Sequence, residues 1–144
     1  MNITGSVTIN TILDSGINSY ANTTMTGQGN LSLGGAGTAF DNYGTFSVQT
    51  DSNINNLNQP GQDPPVFKNE DGATFTKKSG NGGTTQVNVT FTNQGALSLQ
   101  TGTLNFTQTV TQNGNNASTV LQGGSLTVSG GANNGFQLES IRED

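Results

Sequence analysis

The chain has 144 residues, a net charge of −5, 29% hydrophobic residues and only 9% charged ones. That is long enough for one domain with its own core, and too weakly charged for self-repulsion to keep it unfolded. With no Cys and no His, it lacks any disulfide framework, any thiolate or imidazole metal ligand, and the commonest general base.

From the N-terminus, the first alternating stretch is ITGSVTI at 3–9, followed by MTGQGNLSLGG at 25–35. FDNYGTFSVQT at 40–50 introduces a pattern that returns as FKNEDGATFTK at 67–77 and FTNQGALSLQT at 91–101. LQGGSLTVSGG at 121–131 follows it more loosely. The shared elements are an apolar anchor, Asn-x-Gly, a small residue, then apolar-polar-apolar. The copy at 67 has Glu70-Asp71 in the place of a single residue. The anchors at 3, 25, 40, 67, 91 and 121 are separated by unequal steps of 15 to 30 residues. Unequal steps around a fixed motif predict a β-coil whose loops vary in length, since one coil cannot bury its apolar face without stacked neighbours.

Each motif predicts a short strand, such as Phe46-Ser47-Val48, Leu97-Ser98-Leu99 or Leu126-Thr127-Val128. Asn-x-Gly predicts the bend before it, because Gly takes positive φ freely and Asn tolerates it. If the coils are in register, Asn42, Asn69 and Asn93 form a structural ladder beside Gly44, Gly72 and Gly95. Thr101-Gly102 turns the corner between Ala96–Leu99 and Thr103–Phe106. Residues 51–65 hold Pro60, Pro64 and Pro65 and are expected to leave the sheet as a long polar loop. Residues 77–85 and 112–118 are expected to be shorter turns. The predicted core is Val7, Ile9, Leu31, Leu33, Phe46, Val48, Phe67, Phe75, Val87, Val89, Phe91, Leu97, Leu99, Leu104, Phe106, Leu121, Leu126 and Val128.

Other features carry less. Glu70-Asp71, with Asp63 or Asp41, could offer oxygens to Ca²⁺, but a solvated acidic turn is the more economical reading. Lys77-Lys78 reads as lysine protection of an exposed strand edge. Thr74, Thr76, Thr90, Thr92, Thr107, Thr109 and Thr111 suggest a hydroxyl row facing ice or mineral, although their irregular spacing favours simple strand propensity. The Asn-x-Ser/Thr sequons at Asn2, Asn22, Asn30, Asn88, Asn105 and Asn116 are what chance supplies in such a chain. No paired carboxylates or Lys/Arg base recur on consecutive strands, so no enzyme, catalytic residue or cofactor is expected. Four cations (Lys68, Lys77, Lys78 and Arg142) are too scattered to track nucleic-acid phosphates. No apolar run reaches the ~20 residues of a membrane span, and no signal peptide is visible at Met1.

The Phe-x-Asn-x-Gly-Thr/Ala-apolar motif at 40, 67 and 91 resembles repeats of large bacterial secreted or surface β-solenoid proteins. The class is the haemagglutinin-like and autotransporter-passenger-like one. TGTLNF at 101–106, Thr111-Gln112 and TVLQGGSL at 119–126 extend the resemblance over roughly residues 24 to 138. It implies a right-handed parallel β-helix, an exterior location and no enzymatic activity, and carries over no binding residue. The acidic, Asn/Thr/Gly-rich composition also suits an extracellular or cell-surface protein. The chain departs from the class in holding about five repeats and in ending on LESIRED.

The expected fold is therefore all-β. It is a right-handed parallel β-solenoid of about five irregular coils over 1–144, a short relative or piece of a longer repeat protein. A β-sandwich is the alternative, since short alternating strands suit both. The expected function is a non-catalytic structural or adhesive module. With no visible cap at either end, it is expected to assemble with copies of itself into a fibre. The alternative is a glycan-binding or glycan-cleaving β-helix.

Overall fold

The computed structural model describes residues 1–10, 16–78, 81–130 and the short strand at 139–140. The first coil contains β1 (Asn2–Ile3), β2 (Val7–Asn10) and β3 (Ile17–Ser19). The second contains β4 (Thr23–Met25), β5 (Leu31–Gly34) and β6 (Ala39–Asn42), and the third β7 (Thr45–Val48), β8 (Ile54–Asn56) and β9 (Val66–Asn69). The fourth contains β10 (Thr74–Lys77), β11 (Thr84–Val87) and β12 (Thr90–Asn93), and the fifth β13 (Ala96–Leu99), β14 (Thr103–Phe106) and β15 (Val110–Gln112). A sixth turn begins with β16 (Ser118–Leu121) and β17 (Ser125–Val128), and β18 (Glu139–Ser140) returns to pair with β16.

Every third strand stacks on the one before. Face 1 is β1-β4-β7-β10-β13-β16-β18, face 2 is β2-β5-β8-β11-β14-β17, and face 3 is β3-β6-β9-β12-β15. All pairings are parallel, which makes the fold a β-solenoid and rules out the antiparallel sandwich. Thr101-Gly102 is the corner that the sequence suggested, with Gly102 at φ 68°.

Side chains facing inward form continuous columns. On face 3, Phe40, Phe67, Phe91 and Val110 are register partners. The rings of Phe40 and Phe67 stack at 4.9 Å, close to the ~4.8 Å strand spacing, so aromatic stacking and the backbone ladder share one period. Phe46 and Phe75 stack likewise on face 1, and Phe67 meets both rings edge-on. The predicted core residues from Leu31 to Phe106 are all buried. Val7, Leu121, Leu126 and Val128 are only partly buried against that core, because they serve the outer coils. The Ile9 side chain lies outside the described residues. Ile3, Met25, Phe40, Ile54, Ala73 and Val110 are also buried, although the sequence reading omitted them.

Three expectations change. First, the motif copies belong to two different corners. Those anchored at Phe40, Phe67 and Phe91 run from face 3 to face 1. Those at Ile3, Met25 and Leu121 run from face 1 to face 2, because Ile3 pairs Met25, Met25 pairs Val48 and Leu121 pairs Leu99. Second, residues 51–65 do not wholly leave the sheet. Ile54–Asn56 is β8, and Ile54 is buried between Leu31 and Val87. Only the segment after it protrudes. Asn58 holds that segment, accepting Gly35 N–H at 2.7 Å and donating to Asp63 O at 2.6 Å. Third, the turn expected at 77–85 is shorter, since Lys77 ends β10 and Thr84 begins β11.

Candidate functional site

The corner between face 3 and face 1 holds the asparagine ladder. Asn42 Nδ2 donates to Asn69 Oδ1 at 2.9 Å, and Asn69 Nδ2 to Asn93 Oδ1 at 2.8 Å. Asn93 Nδ2 donates to Gln112 Oε1 at 3.2 Å, and Thr119 Oγ1 donates to the same oxygen at 2.7 Å. Each Asn also donates to a backbone carbonyl of the next coil: Thr74 O, Ala96 O and Ser118 O in turn. All three asparagines are fully buried, so these bonds offset the desolvation of their amides.

Gly44 and Gly95 stand beside the ladder, but not to supply positive φ. A Cβ at Gly95 would lie 2.2 Å from Ala73 O, and one at Gly44 would lie 2.7 Å from Ala21 O. They are glycines because the coil beneath approaches too closely for a side chain. Gly72 is different: it has φ 77°, and a Cβ there would meet open space. It belongs to the Glu70-Asp71-Gly72 turn. Ala73 takes the equivalent place, since Thr74 N–H donates to Gly44 O and Ala96 N–H to Ala73 O. The copy at 67 therefore carries two extra residues rather than one.

Lys77 overturns its reading as an edge lysine. It lies on β10 inside face 1, in register with Val48 and Leu99 in the column that also carries Ile3, Met25 and Leu121, and it has no exposure. Its Nζ donates to Thr50 O at 2.8 Å, Thr85 Oγ1 at 3.0 Å and Asp51 Oδ1 at 3.1 Å. Asp51 Oδ2 accepts Asn81 N–H at 3.0 Å. Desolvation pushes the Asp51 pKa upward. The hydrogen bonds from Lys77, Asn81 and Gly83, with the Lys77 charge, outweigh it and hold the carboxyl below its ordinary value. Nothing in the composition marked Lys77 as buried. The available signal was its place at the third position of Phe75-Thr76-Lys77, where Phe46-Ser47-Val48 has an aliphatic residue.

The remaining candidates do not assemble into sites. Asp71 Oδ1 accepts Asn116 Nδ2, and Asp41 faces Lys68 at 3.6 Å. Among the described residues, no three acidic side chains gather around a common point. Thr74 and Thr76 lie on face 1, Thr90, Thr92 and Thr111 on face 3, and Thr107 follows β14, so the threonines form no single flat row. On the outside of the ladder corner, Tyr20 and Tyr43 stack at 4.7 Å, both exposed. The charge of Glu70, then desolvation and Asp41, push the Tyr43 phenol above its ordinary value.

The corner between face 1 and face 2 carries a shallow groove of about 530 Å³, lined by Gly27, Asn30, Asp51, Ser52, Asn53 and Asn81 among others. Asn30 Oδ1 accepts Asn53 N–H at 2.8 Å, and Asn53 Oδ1 accepts Gln86 N–H at 2.9 Å. No protein-family model matches the chain, and no curated protein or solved structure matches it either.

Proposed function

We propose that this chain is a non-catalytic structural or adhesive module of an extracellular or cell-surface protein of the bacterial solenoid kind, and that it assembles end to end into a fibre. The observation that carries this reading is the register of the columns. Phe40-Phe67-Phe91 and Asn42-Asn69-Asn93 repeat with the strand spacing in coils two to four, and Ile17 with Ser19 and Val110 with Gln112 carry the apolar and polar columns into the outer coils, so the backbone period is kept along the stack. Among the described residues, β1, β2 and β3 each pair with another strand on one side only. Such an edge is a template for a further strand, and another copy supplies one of matching period. A stack of this kind supplies length and stiffness rather than a reaction centre.

Light scattering coupled to size-exclusion chromatography over a wide concentration range tests the proposal. Elongated species that grow with concentration support it, and a concentration-independent monomer contradicts it.

A further inference from the structure

We propose that the groove between face 1 and face 2 binds a neutral saccharide. Two asparagines, Asn30 and Asn53, line it one above the other. Each has its side-chain oxygen committed to a backbone N–H of the next coil: Asn30 to Asn53 and Asn53 to Gln86. A backbone N–H can face only an acceptor, so the amide orientation is fixed by chemistry. Both NH₂ groups are then left as donors, making no hydrogen bond among the described residues, in side chains that line the groove. They sit one coil apart, about 4.8 Å along the axis. This spacing is comparable to that between non-adjacent oxygens of a sugar ring. Because the amides are already held, a ligand orders little on arrival.

The charge around the groove selects a neutral ligand. Among the described residues its one carboxylate, Asp51, has Oδ1 on Lys77 and Oδ2 on Asn81 N–H, so it is neither a free base nor a free cation ligand. Lys77 is buried behind it, and among the described residues no cationic side chain lines the groove, so an acidic glycan gains nothing there. The volume suits one or two sugar rings. Fibre formation is not required, since the groove lies along the side of coils two to four, away from the stack ends.

The test is an NMR titration of the ¹⁵N-labelled full chain with cellotriose, mannotriose and N,N′-diacetylchitobiose. The expected result is saturable shifts with at least one of them, centred on the Asn30 and Asn53 side-chain amides and the backbone of Gly27 and Ser52. The double variant Asn30→Asp/Asn53→Asp keeps both acceptors but removes both donors, and is expected to bind at least about tenfold more weakly. Gln28→Ala, an exposed change at the groove margin, is expected to weaken binding severalfold without touching the fold. The proposal is overturned if no sugar gives a saturable shift at millimolar concentration. It is equally overturned if the shifts centre on Tyr20 and Tyr43, or if the folded variants bind as the parent does.

Discussion

Lys77, with no solvent exposure, donates to Asp51 Oδ1 at 3.1 Å across two successive coils, from a position between the aliphatic Val48 and Leu99 of its column. A buried ion pair of this kind is weak evidence for stability but sharp evidence for what breaks when one partner is lost. Asp51→Ala leaves a buried ammonium without its counter-ion and deprives the Asn81 N–H of its acceptor. It is expected to cost about 3–5 kcal/mol, measured by urea unfolding. Lys77→Met keeps the volume, and Thr50 O retains the Thr85 hydroxyl as donor. That change is expected to be neutral or stabilising.

The same pair sets an acid dependence. Asp51 has a folded pKa below its unfolded value, so its stabilisation is fully present above the ordinary carboxylate range of about 3.9. It is lost as pH falls from there through the folded value. The urea midpoint of the parent is therefore expected to drop between pH 5 and pH 3 by more than that of Lys77→Met, in which the carboxyl returns towards its ordinary value.

The ladder predicts a large cost at its middle. Asn69→Ala removes bonds to Asn42, Asn93 and Ala96 O together, and is expected to cost about 3 kcal/mol by urea unfolding. A loss of about 1 kcal/mol or less would mean that the amides act singly rather than as a file.

Gly95 and Gly72 separate close approach from backbone strain. Gly95→Ala drives a Cβ into Ala73 O and is expected to cost about 3 kcal/mol. Gly72→Ala meets open space and bears only the penalty of a positive φ, about 1–2 kcal/mol. Thermal unfolding of the two variants gives the order.

How much of this was legible in the sequence depends on which interaction each residue makes. Asn42, Asn69 and Asn93, each two places after a Phe, repeat in residue type as well as in place, so the asparagine file was readable, whereas the ring column was not and Phe40 is absent from the expected core. The Ile3, Met25 and Leu121 copies shared the pattern but not the corner, because a three-sided coil uses similar bends at different corners and the text alone does not say which. Ile54 was missed because the polar run around it, Asp51 to Gln59, reads as loop; only the apolar column of Leu31 and Val87 brings it inside. Lys77 was missed because its partner Asp51 is 26 residues away, and burial of a lysine is legible only with its counter-ion. The groove was invisible for a related reason. Asn30 and Asn53 are ordinary turn residues until the stack aligns them.

The most direct test of the central claim is electron microscopy with fibre diffraction on concentrated protein. The expected result is filaments of uniform width with a meridional spacing of about 4.8 Å, one coil per repeat and no break at the junction between copies. Compact, monodisperse particles at every concentration would contradict it.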